Sequence, residues 1–413
     1  MKGLKLFAPL FLALAACSGG SQTLNVSLVD GLGQPIQPVA AAWRLGPPPS
    51  TGGPAWNALP ASQSTWPLPI PSNARFQVAF RCPNVGGAEL YVSLDLMRSE
   101  LGSNLVVRCP GDYGGPTASV NGTVSAALTS GTARSAQGSV SFAGTSFSGL
   151  TVPTGSGREV AVFGNIGGAR YFGRTGSISI TVPPTTLPPI TVSPTGTLNV
   201  TAPHSSSYAG LVLSSSVPVD LANWGSGPQS VARPSGLSGG DLFQFYSCHG
   251  PCCGILRRSA TDPAVAPGNN LTLPTVPSLT LTVGQTHTST SLPTFSITGP
   301  SGFSAGLNFL GHGLLLAEAG GLYWRHFVSS GALGGSGTYY VDVENAPGFS
   351  GIIPGSGSTV HLRATAFAGD QPLSAVFAAN PMPTEILSTY SMFLDRMLPM
   401  RLEAVFHQST FTW

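Results

Sequence analysis

The stretch LNVSLVDG, residues 24–31, decides the fold class of this chain. Leu24, Val26 and Leu28 alternate with polar or outward-facing residues, and an Asp-Gly pair then ends the run. Period-two alternation that stops at a turn is typical of a β-strand with one buried face. We therefore take this stretch as the first strand of an all-β protein.

The same pattern recurs along the chain. Alternating runs follow at 76–80, 90–96, 177–182 and 279–283, and a supply of 53 Gly and 37 Pro punctuates them. The sequence has no regular succession of helix and strand patterns, which a parallel α/β sheet would require. Short strands with frequent turns predict β-sandwiches.

One segment breaks this pattern and predicts a single short helix near the C-terminus. Between Pro383 and Pro399 apolar residues recur at helical spacing, and Thr384 stands where a helix cap is expected. The apolar residues are Ile386, Leu387, Tyr390, Phe393, Leu394 and Met397. We expect this helix to close one end of the last sandwich, since an apolar helical stripe usually faces a core.

Three seams rich in Pro and Thr divide the chain. They lie at 111–119, 181–201 and 272–298, and each leads into a new strand pattern. Their spacing of about 80–100 residues fits one immunoglobulin-sized sandwich per unit. The predicted organisation is a signal peptide (1–16), a lipidated tether (17–22) and four tandem sandwiches (23–114, 115–195, 196–284 and 285–413, the last with the helix).

The opening hairpin adds a resemblance. The stretch LNVSLVDGLGQPI, residues 24–36, resembles the start of carboxypeptidase-regulatory-like and related prealbumin-type sandwiches, where a strand ends in Asp, turns through Gly and restarts at Pro. The expected fold is therefore a tandem array of immunoglobulin-like or prealbumin-like sandwiches. The resemblance implies a stalk or binding module on a bacterial surface and no catalysis.

The N-terminus predicts export and lipidation. Lys2 and Lys5 precede an apolar run at 6–16, the pattern of a secretory signal. The sequence LAAC, residues 14–17, resembles the lipobox of bacterial lipoproteins. That resemblance implies attachment of diacylglycerol to the Cys17 thiol, cleavage before Cys17 and a hold on a membrane through acyl chains such as palmitate. The alternative is an ordinary secretory signal with an incidental cysteine.

The residue after the cysteine bears on location. It is Ser18 and not aspartate, which in lipoproteins of diderm bacteria favours the outer membrane over the inner one. We therefore expect a protein of the cell envelope, held to the membrane by the lipid at Cys17.

Charge excludes several functions. The only two lysines, Lys2 and Lys5, lie in the signal, so the mature chain has 16 arginines against 16 acidic residues. A chain without net side-chain charge offers no basic patch for nucleic acid, and without lysine it cannot form a Schiff base. We predict no cofactor.

Catalysis is not expected. Two Gly-x-Ser-x-Gly matches occur, at 236–240 and 302–306. The nucleophile elbow of a hydrolase needs a helix directly after the serine, and neither match is followed by a helical pattern. An extracytoplasmic hydrolase is accordingly the third choice.

Two tryptophans suggest a ligand platform. Trp56 and Trp66 lie in a long predicted loop, residues 45–69. Flat aromatic rings in an exposed loop can stack on sugars, although such rings also form the small core of a loop.

A weak calcium candidate lies farther along the chain. Asp342 and Glu344 would share one face of a predicted strand, and Asn345 would end it. Carboxylate and amide oxygens at a strand end are ligands for Ca²⁺. Solvent-facing carboxylates explain the same residues, and no other metal site is predicted.

The cysteines predict two disulfides. Cys82 and Cys109 each end an apolar strand face and precede a proline, so they are expected to pair. In YSCHGPCC, residues 246–253, a turn should bring Cys248 opposite Cys253 or Cys252. A metal site and a vicinal bridge are the alternatives, and in either disulfide pairing one thiol is left over.

These observations predict a lipid-anchored envelope protein with a structural, adhesive or assembly role. The second choice is a binding module for polysaccharide or another envelope ligand. The expected partners are the membrane, through Cys17, and a protein or polysaccharide of the envelope.

Overall fold

The structure is a computed structural model, and it confirms an all-β protein. The described residues are 22–31, 33–46, 55–85, 88–109, 116–181, 186–250, 252–275, 282–288, 291–298, 302–318, 321–334, 338–340, 342–379 and 396–413. Residues 1–21, with Cys17, and residues 380–395, with most of the predicted helix, lie outside the described residues. No helix within the described ranges is both long and apolar enough to span a membrane.

The first seven strands form a β-sandwich. They are β1 (Gln22–Val29), β2 (Ala40–Leu45), β3 (Asn57–Leu59), β4 (Thr65–Ile70), β5 (Arg75–Val85), β6 (Ala88–Met97) and β7 (Asn104–Arg108). One sheet has the order β4-β1-β7, and the facing strands have the order β3-β2-β5-β6. β1 runs antiparallel to β4 and parallel to β7. The predicted alternation is confirmed, because Leu24, Val26 and Leu28 are fully buried in the core between these sheets.

The second unit has a different topology. Its strands are β8 (Thr117–Arg134), β9 (Ser139–Pro153), β10 (Gly155–Arg158), β11 (Ala161–Ile166), β12 (Ala169–Arg174), β13 (Ile178–Ile180) and β14 (Ser193–Pro194). Five of them form a sheet with the order β14-β12-β11-β8-β9, while β10 pairs with β13. One face of the sheet covers a separate core that includes Val120, Leu150 and Val162.

The third unit repeats the topology of the first. Its strands are β15 (Gly196–Ala202), β16 (Ser206–Val212), β17 (Pro218–Trp224), β18 (Gly227–Arg233), β19 (Leu242–His249), β20 (Cys252–Ser259) and β21 (Asn270–Thr272). The two orders are β18-β15-β21 and β17-β16-β19-β20. As in the first unit, the initial strand is antiparallel to one neighbour, β18, and parallel to the other, β21.

The fourth unit is a variant of the same arrangement. Its strands and helices are β22 (Thr282–Thr288), β23 (Ser291–Thr298), β24 (Asn308–Glu318), β25 (Leu322–Ser329), α1 (Ser330–Leu333), β26 (Thr338–Tyr340), β27 (Thr359–Gly369), α2 (Leu373–Ala378) and β28 (Arg401–Thr412). β23 pairs antiparallel with β26, as β1 pairs with β4. The other neighbour of β23 is β22, which precedes it in the chain and runs antiparallel. In the first and third units the corresponding neighbour is the last strand of the unit, and it runs parallel.

Three of the four units share one sheet. Its twelve strands have the order β17-β16-β19-β20-β28-β27-β24-β25-β6-β5-β2-β3. β20 of the third unit pairs antiparallel with β28 of the fourth, and β25 of the fourth pairs parallel with β6 of the first. The first, third and fourth units are therefore joined directly by strand pairing at their edges. Seams in composition mark where the chain crosses between sandwiches, but they do not indicate which strand edges pair.

The shared sheet covers a buried core on each of its two faces. Neighbouring residues of a strand point to opposite faces, so Phe327 joins the core of the first sandwich while Val328 joins that of the fourth. Leu256, in the third unit, belongs to a core on the same side as Val328. The first sandwich thus lies on one side of the sheet, and the cores of the third and fourth lie on the other.

Replacement of Phe327 should test this arrangement. Its fully buried ring lies 6.3 Å from Phe367 and 5.7 Å from Phe377, measured between ring centres. We expect Phe327→Ala to lower the free energy of unfolding by about 3–5 kcal/mol, because it leaves a cavity under the shared sheet. Urea titration would measure this. Tyr323→Ala, on the same strand and 41% exposed, is the control and should cost less than about 1 kcal/mol. Equal losses for the two variants would contradict the assignment.

Candidate functional site

An open groove of about 370 Å³ lies between the second and third units. Residues of β8, β9, β11 and β12 form its floor, on the face of the second sheet that points away from that unit's own core. Its wall is β17, the outermost strand at one end of the shared sheet. Four consecutive residues of β17, 220–223, line the groove, so the backbone edge of that strand faces it together with its side chains.

The strand register places the polar side chains of the floor in rows. A two-residue turn, Gly167-Gly168, joins β11 to β12, and both glycines have the positive φ that a tight hairpin turn requires. Asn165 therefore lies opposite Arg170, and on its other side it lies opposite Ser130. Cross-strand partners point to the same face of a sheet. Hydroxyl, amide and guanidinium groups thus come together in one row.

Several contacts hold these groups in place. The Asn165 amide donates to Ser130 Oγ at 3.1 Å. The guanidinium carbon of Arg170 lies 5.5 Å from the centre of the Phe163 ring, within the range of a cation–π contact. Beside the groove, Arg134 at the end of β8 forms an ion pair with Asp220 of the wall.

Asp220 also connects β17 to the neighbouring strand β16. Tyr208 OH donates to its Oδ1 at 2.6 Å. Burial of Tyr208, and secondly the charge of Asp220, raise the pKa of the phenol, so the hydroxyl keeps the proton that it donates.

The two units that form the groove are braced against each other. Arg174 of β12 lies 3.3 Å from Glu159 and 3.1 Å from Asp241 of the third unit. Ser215 of the third unit donates to Glu159 at 2.6 Å. Phe172 of β12 packs into the core of the third unit. The floor and the wall are therefore held at a fixed separation.

The predicted tryptophan platform is not formed. Trp66 is 2% exposed and lies in the first core, 5.3 Å from Phe80 between ring centres, with its indole donating to the Pro60 carbonyl at 3.0 Å. The predicted loop contains strand β4, whose alternation turns Trp66 inward. Trp56 is half-buried, and the Arg44 guanidinium covers its ring at 4.4 Å. The platform interpretation is therefore wrong for Trp66, and for Trp56 a protein cation occupies the ring face.

The predicted strand that would carry the calcium ligands is also wrong. The strand ends at Tyr340, and Val343–Asn345 is a turn of 3₁₀ helix, so Asp342 and Glu344 do not share a strand face. Both carboxylate oxygens of Asp342 accept from Arg44, one of them at 2.8 Å. Within the described ranges no three His, Cys, Asp or Glu residues converge as a metal site would require.

The structure contains both predicted disulfides. Cys82 bonds to Cys109, and both are fully buried in the first core. Cys248 bonds to Cys253, and these two residues are direct cross-strand partners in the β19–β20 hairpin. The alternation of β20 places Cys252 on the other face, in the core of the fourth unit, which resolves the alternative pairing. Cys252 is a buried free thiol.

A buried polar network lies where the first and fourth units join. Gln77 accepts from Arg44 Nε at 2.7 Å and donates to Asp95 at 2.8 Å. Asp95 also forms an ion pair with Arg75 at 2.6 Å. Burial raises the pKa of the Asp95 carboxyl, and the contacts with Arg75 oppose that effect. The side chains of this network therefore form hydrogen bonds or ion pairs with one another between the adjacent strands β2, β5 and β6.

Histidines extend this buried polar region. His326 Nδ1 lies 2.8 Å from Ser93 Oγ, which also accepts from the Trp324 indole at 2.9 Å. Burial, and secondly the charge of Arg75, lower the pKa of His326 to about 3. Burial likewise lowers the pKa of His312 to about 4. Both imidazoles are neutral in the folded protein at neutral pH.

Sequence patterns alone missed the groove. The Gly167-Gly168 pair between alternating residues is a hairpin signal that would have placed Asn165 opposite Arg170. No local pattern indicates that β17, about fifty residues farther along the chain, forms the facing wall.

Comparisons with known proteins add little. No family model and no curated protein matches the sequence. Among solved structures, two forms of the pilus adhesin SpaC from Lactobacillus rhamnosus GG are similar at 9% and 10% identity, each with a TM-score of 0.12. Each match covers 74% of this chain and 43% of the adhesin chain, so the chain spans less than half of the adhesin's length. At this TM-score the likeness carries no argument about function.

The two disulfides should differ in their contribution to stability. Cys82 and Cys109 are 27 residues apart, and Cys248 and Cys253 are 5 apart. Loop closure in the unfolded chain predicts a loss of about 3–4 kcal/mol for Cys82→Ala with Cys109→Ala, and about 2 kcal/mol for Cys248→Ala with Cys253→Ala. Urea titration of both double variants would measure the order. A larger loss from the shorter loop would contradict it.

Stability should fall as the pH is lowered. The folded-state pKa values of His326 and His312 lie below the ordinary 6.5, so the unfolded chain binds more protons. Each histidine should remove about 1.4 kcal/mol per pH unit as the pH falls from about 6.5 towards about 4. The free energy of unfolding, measured by urea titration at several pH values, would show this slope. His326→Gln should remove about half of it.

His407→Gln is the matched control. His407 is exposed on β28, so its replacement should leave the pH slope unchanged. An unchanged slope in His326→Gln would contradict the role of burial.

Proposed function

We propose that the protein is a lipid-anchored component of the bacterial cell envelope with a structural or adhesive role. The signal and the lipobox-like LAAC at residues 14–17 support the anchor. The observation that carries the role is the twelve-stranded sheet through the first, third and fourth units. Strand pairing joins these units directly and fixes their relative positions, whereas flexible hinges between separate domains would leave the positions free.

This architecture suits a protein that presents a surface in a fixed geometry. The ion pairs of Arg174 and Arg134 attach the second unit to the third, so its orientation is also set by specific contacts. Two disulfides close loops in the first and third units. Disulfides persist outside the cytoplasm, which agrees with an exported protein.

A role without catalysis is part of the proposal. The serines of the two Gly-x-Ser-x-Gly matches support it through their contacts. Ser238 Oγ donates to Asp241 at 3.0 Å within a turn, and Ser304 Oγ donates to the Thr275 carbonyl at 3.5 Å. Each of these hydroxyls donates to an oxygen, whereas the serine of a hydrolase donates to the histidine that activates it.

Replacement of Cys17 tests both the anchor and the role. We expect the wild-type chain to incorporate labelled palmitate, to accumulate as precursor under globomycin and to sediment with membranes. Cys17→Ala should lose the label and enter the soluble envelope fraction. Adhesion and detergent resistance of the cells should then fall to the level of a strain without the protein.

Cys252→Ala is the matched control, because Cys252 is the free cysteine of the described chain and is buried. It should keep the label. Labelling that survives Cys17→Ala would refute the anchor. Full adhesion and detergent resistance in a strain without the protein would refute the structural or adhesive role.

A further inference from the structure

We propose that the groove between the second sheet and β17 binds a segment of an acidic polysaccharide, one whose sugars carry carboxylates. This inference rests on the proposed envelope role for its setting and extends it by assigning a site and a ligand class. The site itself follows from the geometry of the groove.

The first argument is hydrogen-bonding capacity that the protein does not use. Thr132, Ser141 and Asn223 line the groove, and the latter two are exposed. Among the described residues, none of these three side chains forms a hydrogen bond with the protein. Hydroxyl and amide groups both donate and accept, which is what the hydroxyls of a sugar require.

The second argument is charge. Arg134 is neutralised by Asp220, whereas Arg170 is exposed and contacts the ring of Phe163 without a carboxylate partner in the described part of the chain. The groove therefore keeps one positive charge. A guanidinium binds a carboxylate through two parallel hydrogen bonds, so a uronate is a better ligand than a neutral sugar.

The third argument is rigidity. Asn165 is held by Ser130, Arg170 stacks on Phe163, and the Arg134–Asp220 pair joins the floor to the wall. A ligand then meets groups that are already ordered, and binding loses less conformational entropy.

A second kind of occupant would be an extended peptide added to the edge of β17. Such binding needs pockets for alternate side chains. The floor beside β17 places the polar groups of Ser130, Thr132, Asn165 and Arg170 next to the rings of Phe142 and Phe163, and such a mixture of hydrogen-bonding groups and aromatic rings suits a sugar. The observations therefore favour the polysaccharide.

Binding of the detergent-solubilised full chain to immobilised oligosaccharides tests the proposal. The panel would carry galacturonate, glucuronate and mannuronate oligomers beside neutral glucose, galactose and mannose oligomers. We expect binding to at least one uronate series, weaker binding to its neutral counterpart and a decline with added salt. Arg170→Gln should weaken uronate binding about 10-fold, since it removes the charge but keeps an amide donor.

Arg258→Gln is the matched control, because Arg258 is a partly exposed arginine elsewhere on the third unit, 3.4 Å from Asp262. It should leave uronate binding unchanged. Absence of uronate binding, or binding that Arg170→Gln does not alter, would overturn the proposal. Binding of extended peptides in place of any oligosaccharide would instead assign the groove to β17 edge recognition and would also overturn it. The binding assay uses purified protein and does not depend on the lipid anchor. A negative result in it would therefore contradict the ligand proposal alone, whereas loss of palmitate labelling at Cys17 tests the proposed anchor.

Discussion

Backbone pairing between the edges of three sandwiches is the constraint on which the rest of the structure depends. An isolated sandwich leaves unpaired amides and carbonyls along its outer strands, and these invite pairing with other chains. Here the β20–β28 and β25–β6 ladders satisfy those edges within the chain. The strands at the joins are consequently buried on both faces, so Phe327 and Val328, which are adjacent in β25, belong to different cores. A strand at one of these joins therefore lacks the polar, solvent-facing side that a strand of an isolated sandwich has.

Burial on both faces explains the placement of several charges. Glu403, on β28 at the join with β20, is fully buried and accepts from Arg401 at 2.8 Å and from the Ser304 amide at 2.9 Å. Asp95, on β6 at the other join, is fully buried against Arg75. A buried charge without a partner costs several kcal/mol, and each of these carboxylates has an arginine partner within its own unit, Arg401 on the same strand and Arg75 on the neighbouring β5. These partners allow the two carboxylates to stay buried beside the joins.

Sequence patterns predicted what depends on neighbouring residues and missed what depends on distant ones. Alternation gave the strand at Leu24–Leu28 and the strand ends that bring Cys82 to Cys109. It left Cys252 and Cys253 unresolved, because only the register with Cys248 distinguishes them. Trp66 was assigned to a loop, but it lies in β4, where Pro67 and Pro69 occupy outward positions and Trp66 points inward. The shared sheet and the groove bring together segments from different units, and no periodicity carries that information.

The groove is related to how the outer strand edges that remain unpaired are protected. The shared sheet ends at β3, which has three residues and offers little edge, and at β17, which has seven. In the second sheet, the outer strand β9 is interrupted by register shifts in its pairing with β8 and by Gly144 and Gly149 at positive φ, and irregular edges resist pairing. The edge of β17 is protected in another way, because one face of the second sheet lies beside it and is held there by the ion pair between Arg134 and Asp220. That arrangement places the second sheet beside the β17 edge and leaves between them the groove, which is lined by both polar and aromatic side chains. The protection of β17 and the proposed binding of polysaccharide are then two consequences of one arrangement, because the same ion pair that covers the edge also shapes the site.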